Sequence, residues 1–375
     1  GYDIEKGILQ DEVLSISKLA EAVAPVFAPF RFRIWYFRID LKKKISFKAD
    51  SGEFTSSFWS TSESMLDDFR KGKSLMVPPT RLVLKRLFED PQATELGDLS
   101  ERYDEDNRVP SLEMLDGIIL LPVRSVTLPP ASRTNAILLG DEDKVKLLID
   151  PSPNSEEEYR RLLTTIKDRL PDAIFLTHHH PDHHQFSNRF ARELKVPIIL
   201  SHDTLQRLTT KFGLEYFENI DLQTVSENQH VSSWHGSAVR VYEIPGHDSG
   251  HLGLAPDSMT WFLVGDLIQG IGTVVIPSPE GDMETYLNTL KKVISLSPEV
   301  IIPSHGIPMR TTYRLEETLK HRLKRESEIL KLHQSGKSRQ EILMELYSET
   351  DPRLHAAAMQ NIESHLTKLR KENIL

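Results

Sequence analysis

The protein is a chain of 375 residues, a length that favours two or three domains. With 39% hydrophobic and 27% charged residues, it has enough apolar material for a packed core and is not typical of a disordered chain. The formal net charge of −9 argues against a protein that coats nucleic acid. The absence of cysteine excludes disulfide bonds and thiolate ligands, so any metal must be held by nitrogen and oxygen.

The sequence predicts no membrane span and shows no secretion signal. The longest apolar runs, such as GIILLP at 117–122, are much too short to cross a bilayer. The lack of cysteine fits an intracellular protein, in the cytoplasm or in an organelle such as a mitochondrion or plastid. Because the sequence starts at Gly1 and not at methionine, an organellar presequence could precede it.

The first section, residues 1–110, is predicted to be an α+β segment. The stretch FRFRIWYFRID (30–40) alternates apolar and polar residues, which predicts a strand, and FTSSFWS (54–60) is predicted to be its partner. Two helices are expected, one in TSESMLDDFRKG (61–72) and one after a Pro-Pro turn in SLMVPPTRLVLKRLFED (74–90). The polar stretch at 96–111 is typical of a linker.

The second section, residues 111–312, alternates strands with helices and predicts an α/β domain. Helices are expected in SEEEYRRLLTTIKDRL and METYLNTLKKVISL. The expected strands are short apolar runs, and several of them end directly in His or Asp. They are NAILLG, KVKLLID, AIFLTH, VPIILSH, VRVYEIPGH, TWFLVGD and VIIPSH.

The third section, residues 313–375, is predicted to be helical throughout and suggests a small winged-helix-like unit. Its first helix ends at a glycine in HQSG, its second begins with a serine cap in SRQEILMELYSE, and its last closes the chain. Basic residues alternate with glutamates, so a solvated helical face is the default interpretation and a path for a single strand is the alternative. The basic residues concerned are Arg322, Lys324, Arg325, Lys331, Lys337 and Arg339.

The stretch LTHHHPDHHQF (176–186) concentrates five histidines and one aspartate in seven positions. His178 and His180 are two apart at a predicted strand end, a spacing that points both imidazoles the same way. Asp182 and His183 follow at the turn into a helix. Four candidate ligands in one loop are too many for one tetrahedral zinc that also binds distant histidines.

Three further candidates, His247, Asp266 and His305, each follow a predicted strand. With them the set reaches seven ligands without sulfur, which fits a pair of divalent metals that share one carboxylate. Such a pair can activate water at neutral pH and bind a phosphate or carbonyl oxygen. The alternative is a solvated polar loop, and the ordered spacing with three downstream matches argues against it.

These motifs, HHHPDH (178–183) followed in order by His247, Asp266 and His305, resemble those of the metallo-β-lactamase superfamily. The resemblance implies an αββα sandwich with two divalent metals on one edge, zinc first and manganese or iron as alternatives. On the family pattern the first zinc is held by three imidazoles, those of His178, His180 and His247. The second is held by Asp182, His183 and His305, and Asp266 bridges the pair.

Within the superfamily, the segments PGHDSGH, GDLIQGIGTVV and VIIPSHGIP look most like the β-lactamase-like protein 2 group of endoribonucleases. HRLKRESEIL and QNIESHLTKLRKENIL are similar to the terminal winged-helix-like domain of that group. The resemblance covers about residues 111–375. It implies cleavage of single-stranded RNA by a metal-activated hydroxide, with Asp182 both as a ligand and as a proton acceptor.

Two departures from the family pattern concern the surroundings of the metals. His184, Gln185 and Phe186 stand where the family usually has small residues, which bears on how open the cleft is beside the second zinc. Asp248 stands where threonine is usual, and an extra carboxylate would make the site less welcoming to a polyanion.

Four residues near the motifs have other expected roles. His251 matches a family histidine that is not a ligand, and it either supports the ligands or donates a proton to the leaving group as a catalytic residue. Asp150 is expected to orient the metal loop through hydrogen bonds. His179 and His184 are expected to be exposed to solvent because they flank ligands and point the other way.

Part of the first section, FWSTSESMLDDFRKGKSLMVPPTRLVLKRL, looks like the C-terminal half of a Nudix domain. The Nudix box with its spaced glutamates is absent from the sequence, so no Nudix catalysis is expected. Packing, dimerisation or substrate positioning are the roles that remain, and the oligomeric state stays open.

Four alternatives to an endoribonuclease remain. A thioester hydrolase of the glyoxalase II type uses the same seven ligands on a small-molecule thioester, but it ends in a different helical domain. A persulfide dioxygenase or a small lactonase ranks below it. A non-catalytic adaptor that binds partners through its two ends is disfavoured by the complete set of ligands.

Overall fold

A computed structural model describes residues 12–25, 27–28, 31–45, 56–100, 102–104, 106–270 and 272–375. The chain divides into two compact units, one of residues 1–103 with 114–116 and one of residues 104–113 with 117–375. Among the described residues, no helix has the length and apolar character needed to span a bilayer.

The first unit holds a three-stranded sheet and two helices. Strand β1 (Val13–Val23) lies in the middle, antiparallel to β2 (Arg33–Leu41) and parallel to the short β3 (Gly97–Asp98). The helices are α1 (Ser62–Arg70) and α2 (Pro78–Glu89). The Thr61 hydroxyl caps α1 by accepting the Ser64 N–H at 3.1 Å, as the Ser/Thr signal predicted.

Two sequence predictions in this unit need correction. The strand at 30–40 is confirmed as β2, but its partner is β1 and not residues 54–60, of which 56–60 are not in a strand and 54–55 lie outside the described residues. The two prolines do not form a turn before α2. They occupy its first turn, where a missing N–H costs nothing because that N–H has no partner within the helix.

The second unit contains two sheets and eight helices in the described part of the chain. The seven-stranded sheet has the order β10–β9–β8–β7–β6–β5–β4, and Leu112 and Glu113 of β4 belong to this unit. Its strands are β4 (Leu112–Leu115), β5 (Ile118–Arg124), β6 (Arg133–Leu139), β7 (Leu147–Ile149), β8 (Ala173–Phe175), β9 (Ile198–Leu200) and β10 (Leu222–Thr224).

The six-stranded sheet has the order β11–β12–β13–β14–β15–β16. Its strands are β11 (His230–Trp234), β12 (Ser237–Glu243), β13 (Leu252–Pro256), β14 (Trp261–Gly265), β15 (Val300–Pro303) and β16 (Met309–Arg310). The helices of the unit are α3 (Glu156–Ile166), α4 (Pro181–His184), α5 (Ser187–Leu194), α6 (His202–Phe212), α7 (Met283–Leu296), α8 (Tyr313–Gln334), α9 (Arg339–Leu346) and α10 (His355–Lys371).

Helices cover the outer face of each sheet. Strands β7, β8 and β9 are fully buried, and Tyr159 of α3, Phe190 of α5 and Leu208 of α6 pack in one core with them. On the other sheet, the apolar face of α7 packs with Phe262 and Val264 of β14. The layer order is helix, sheet, sheet, helix, so the predicted αββα sandwich is confirmed, and all seven strands and both helices predicted for this section are present.

The third section is helical, as predicted. Helix α8 runs for 22 residues and is followed at Gly336, whose φ of +86° suits glycine, by the turn into α9. Ser338 and Glu341 form the reciprocal capping box at the start of α9. Helix α10 packs its apolar face, including Ile362 and Leu366, against α8 and α9.

Candidate metal centre

Three of the predicted ligands, His178, His180 and His247, form one group at the strand ends. His178 and His180 follow β8 and His247 follows β12. The Nδ1 atom of His180 lies 3.0 Å from Nε2 of His178 and 2.9 Å from Nε2 of His247. We call this set the first metal group.

Hydrogen bonds on the far side of each ring place the proton of a neutral imidazole there, which leaves a lone pair on the nitrogen that faces the group. His247 Nδ1–H donates to the Val275 carbonyl at 2.7 Å, and His180 Nε2–H donates to Glu280 at 3.2 Å. The Thr177 hydroxyl donates to Asp150 at 2.6 Å, so its oxygen accepts the His178 Nδ1–H at 3.0 Å. Three lone pairs that face one another at this range repel unless a cation lies among them.

A second metal group consists of Asp182, His183 and His305. Asp182 Oδ2 lies 3.5 Å from Nε2 of His305 and 3.9 Å from Nε2 of His183. His183 Nδ1 donates to Asp150 at 2.8 Å and His305 Nδ1 donates to the carbonyl of Arg133 at 2.9 Å. Both Nε2 atoms are buried without a hydrogen-bond partner, as a ligand atom that awaits a cation would be.

Asp266, which follows β14, lies between the two groups. Its Oδ1 is 3.4 Å from Nε2 of His305 and 3.6 Å from Nε2 of His183, whereas its Oδ2 is 3.8 Å from Nε2 of His247. The two oxygens of one carboxylate therefore face different groups. This is the arrangement of a bridging ligand, and the buried Oδ1 has no hydrogen-bond partner.

The pKa values of the site histidines are consistent with a bound cation. Burial lowers the pKa of His247 to about 4 and that of His178 well below its usual value. Burial also disfavours a charged His183, but the carboxylates of Asp266, Asp182 and Asp150 outweigh it and raise the pKa of His183 well above the usual value. The three carboxylates thus stabilise a positive charge on His183. A metal ion bound by these residues would supply that positive charge in place of the proton, so the residues present fit divalent ions.

The turn that carries His305 is held by β6. The Asn135 side chain donates to the carbonyls of Pro303 at 3.1 Å and Gly306 at 2.8 Å. Gly306 has φ +104°, and a Cβ there would lie 2.8 Å from Cα of Gly270, so glycine is required at this close approach. The prediction that Asp150 orients the metal loop is confirmed, since it also accepts the Thr177 N–H at 2.8 Å.

The fold matches two known protein families. Residues 129–305 match the family model of the Metallo-beta-lactamase superfamily, and residues 338–374 match the Beta-lactamase associated winged helix domain. Residues 129–305 of this chain form a domain of the metallo-beta-lactamase superfamily. The superfamily and the winged-helix tail predicted from the sequence are both confirmed, as is the assignment to a family of hydrolases that typically bind two divalent metals.

Among known relatives, the chain is 29% identical over 259 residues to a Beta-lactamase-like protein 2 homolog of Drosophila melanogaster, covering 64% of this chain and 84% of the relative. It is 30% identical over 169 residues to a hydroxyacylglutathione hydrolase of Wigglesworthia glossinidia brevipalpis, covering 44% of this chain and 58% of the relative.

Two solved structures share the fold. A metallo-beta-lactamase family protein of Thermus thermophilus superposes with a TM-score of 0.56 at 22% identity, covering 69% of this chain and 95% of that one. A beta-lactamase domain protein of Burkholderia ambifaria gives a TM-score of 0.58 at 20% identity, covering 72% of this chain and 92% of that one.

In this metallo-beta-lactamase domain His251 is buried beside the candidate ligands, with its ring centroid 4.9 Å from that of His178. It is 1% exposed, and its Nε2 accepts the backbone N–H of Asp266 at 3.3 Å. A Cβ on Gly265 would lie 2.2 Å from that nitrogen, which explains the glycine before Asp266. Burial lowers the pKa of His251 to about 3. The geometry favours support of Asp266 over the alternative prediction of a proton donor.

The prediction that His179 and His184 are exposed is wrong, because both are buried. His184 turns into the helical layer, where its Nδ1 lies 2.8 Å from the Tyr216 hydroxyl. Phe186 also turns away from the cleft and packs 5.6 Å from the ring of Tyr159. His184 and Phe186 therefore pack into the helical layer instead of toward the second metal group.

Asp248, the extra carboxylate, is fully buried and engaged. Its Oδ2 lies 2.8 Å from Nδ1 of His179, and its Oδ1 accepts the Gly250 N–H at 2.9 Å. Burial would raise the pKa of Asp248, but the interaction with His179 outweighs it and lowers the pKa to about 2. Its charge is therefore shared with His179 instead of facing a substrate.

Glu280 is a site residue that the sequence reasoning missed. Its Oε2 accepts from His180 at 3.2 Å, and its Oε1 lies 3.6 Å from Nε2 of His179. The hydrogen bond with His180 lowers the pKa of Glu280 to about 2. It lies in the loop SPEGD, which does not follow a strand. The only sequence signal for Glu280 as a site residue is an acidic side chain in a loop with Pro and Gly.

Proposed function

We propose that this chain is a dinuclear zinc hydrolase that cleaves phosphodiester bonds in single-stranded RNA. The observation that carries the dinuclear part is the shared carboxylate of Asp266, whose two oxygens face two separate groups of inward-pointing lone pairs. When bound, two divalent ions lower the pKa of water toward roughly 7 and offset negative charge on a phosphate.

The chain's own residues divide the remaining work. Asp150, Glu280 and the Val275 carbonyl hold the outer nitrogens of three imidazoles, which fixes their tautomers. The Asp182 side chain is 15% exposed, against 6% for Asp266, so it borders the open side of the site. Its carboxylate is placed to accept the proton of the attacking water.

RNA as the substrate is supported by the resemblance of residues 111–375 to the β-lactamase-like protein 2 endoribonucleases. The chain covers 84% of a relative with that protein name, and the associated winged helix is present. This combination of hydrolase domain and tail distinguishes the proposal from enzymes that share only the seven ligands.

The six basic residues named above for the third section provide little unpaired positive charge for binding RNA. Arg322 is buried, and the solvated face predicted as the default describes the rest better than a single-strand path. Four of the six pair with nearby carboxylates: Lys324 and Arg325 with Glu328, Lys337 with Glu345 and Arg339 with Glu363.

Thioester hydrolysis is the second candidate, and the rim of the site favours it. The Glu280 carboxylate, 38% exposed and with a pKa of about 2, is negatively charged beside the first metal group. This negative charge would repel a polyanion such as RNA, whereas it would not repel a substrate that presents a neutral carbonyl. A relative that carries the name hydroxyacylglutathione hydrolase shares 30% identity.

A parallel assay separates the two candidates. The protein, loaded with stoichiometric zinc or manganese, is incubated with short single-stranded RNA and, separately, with S-lactoylglutathione. We expect internal cleavage of the RNA that disappears in Asp182→Ala. No RNA cleavage together with rapid thioester hydrolysis would replace the proposal by the second candidate, and inactivity on both would contradict both.

A further inference from the structure

The segment Val274–Ile276 is held in place by side chains of the C-terminal helices. It lies outside the strands described, and its Val274 and Ile276 side chains are buried in the core beneath α7. Asn361 of α10 brackets it with its amide. The Asn361 Oδ1 accepts the Ile276 N–H at 2.9 Å, and its Nδ2 donates to the Val274 carbonyl at 3.4 Å.

A second C-terminal side chain binds the same carbonyl. The guanidinium of Arg322, on α8, donates through Nη2 to the Val274 carbonyl. Arg322 is 1% exposed and lies over the ring of Tyr286, 5.5 Å from its centroid. A buried guanidinium and a buried amide thus bind one short loop. Burial of these polar groups costs free energy of desolvation, which side chains on a solvent-exposed helix face do not lose.

This loop carries the carbonyl that holds a metal ligand. His247 Nδ1–H donates to the Val275 carbonyl at 2.7 Å. The Val275 carbonyl and the Ile276 N–H belong to the same peptide group. A chain of hydrogen bonds therefore runs from Asn361 Oδ1 through that peptide group to Nδ1 of His247. The other ring nitrogen of His247, Nε2, belongs to the first metal group.

We propose that Asn361 and Arg322 are positioning residues of the metal centre, so that the C-terminal helices complete the first metal group. This inference rests on the proposed function, because it assumes that the group binds metal. Hydrogen bonds in a chain polarise one another, so the Ile276 N–H bond to Asn361 makes the Val275 carbonyl a stronger acceptor. A stronger acceptor orients the His247 ring and makes its Nε2 a better ligand.

Removal of the amide tests the inference. Asn361→Leu keeps the volume of the side chain and leaves the Ile276 N–H without a partner. We expect it to weaken one of two bound zinc ions by roughly 10–100-fold in a chelator competition on the full chain, and the other by much less. Asn361→Asp keeps the acceptor and loses the donor, so its loss should be smaller. Arg322→Met removes the bond to the Val274 carbonyl together with the guanidinium over the Tyr286 ring, and leaves the Asn361 bonds in place.

Ile362→Ala is the matched control. Ile362 is the next residue of α10, is fully buried and belongs to the core of the C-terminal helices. This variant should lose stability without a change in either zinc affinity. If Asn361→Leu does not fold, Arg322→Met carries the test, with a loss of about threefold or more expected for the same zinc ion.

Two results would overturn the inference while the proposed function stands. One is a wild-type protein with two zinc ions whose affinities are unchanged, within about twofold, in all three variants. The other is an equal loss of affinity in Ile362→Ala, which would reduce the effect to general destabilisation. A wild-type protein that binds no zinc would instead contradict the proposed function, and the inference with it.

Discussion

His251 acts through the backbone next to the bridging ligand. Because its Nε2 accepts the Asp266 N–H, the proton of the neutral ring is on Nδ1, which is buried. We expect His251→Gln to lower kcat or metal affinity by roughly 10–100-fold and to leave both limbs of the pH–rate profile in place. Loss of one limb in the profile of kcat against pH would show instead that His251 donates a proton.

His184 makes the protein sensitive to acid. Burial lowers its folded pKa to about 3, whereas the unfolded value is about 6.5. Between these pH values only the unfolded chain binds a proton here, so the free energy of unfolding falls as the pH falls from 6.5 toward 3. We expect the wild type to lose more stability than His184→Phe between pH 7 and 5, by about 2 kcal/mol at most.

Urea unfolding of both proteins at the two pH values measures this difference. His230→Gln provides the control, because His230 is exposed on β11. An identical pH dependence in wild type and His184→Phe would mean that His184 is not buried as a neutral ring.

At the residue scale, the seven candidate ligands could be grouped from the sequence because they lie in the segments that follow β8, β12, β14 and β15, and these strand ends share one edge. What lies behind the strand was not predictable. His179 and His184 alternate with the ligands, which indicates that they point away from the metals. The sequence does not indicate that other residues cover that side, so both were wrongly expected to be exposed to solvent. Glu280 comes from a distant loop, and no local spacing relates it to His180.

Helix α5 ends at a residue whose backbone is strained. Lys195 has φ +56° and is exposed, and its N–H bonds to the Ala191 carbonyl at the end of the helix. A Cβ in this left-handed region costs roughly 1 kcal/mol. We expect Lys195→Gly to raise the free energy of unfolding by about 0.5–1 kcal/mol, measured by urea denaturation.

Lys195→Ala separates backbone strain from loss of the side chain, because alanine keeps the Cβ. It should match the wild type within about 0.5 kcal/mol. A gain as large as that of the glycine variant would mean that the lysine side chain, and not its backbone conformation, limits stability.

At the element scale, several buried strands and the alternating strand β2 were predictable, whereas β1 and the shortest strands were not. Strands β7, β8 and β9 are continuous apolar runs because both faces are covered. Strand β1 was missed because VLSISKLAEAV mixes serine, lysine and glutamate on exposed positions, and its pairing with β2 is set by tertiary contact. The two-residue β3 and β16 are too short to show any period.

The charge of the whole molecule limits how it can bind RNA. The chain carries −9, and most basic side chains of the third section pair with carboxylates. We expect RNA to be bound with about three phosphate contacts or fewer, so the slope of log affinity against log salt should be shallower than about −2. Titration of Asp182→Ala with single-stranded RNA between about 50 and 200 mM salt measures this slope.

A slope several times steeper would reveal a broad phosphate-binding surface and would contradict the solvated-face interpretation. The same titration with Lys331→Gln added to Asp182→Ala tests an exposed lysine on α8 outside the ion pairs named above. We expect its slope to differ from that of Asp182→Ala alone by less than about one unit, because one lysine releases about one counterion at most.

The central claim concerns the whole molecule, since residues from four strand ends must meet around two cations. Anomalous diffraction from crystals grown with zinc tests it most directly. We predict two peaks roughly 3.5–4 Å apart, one against His178, His180 and His247 and one against Asp182, His183 and His305, with Asp266 between them. A single peak, or zinc bound only at other positions, would contradict the account.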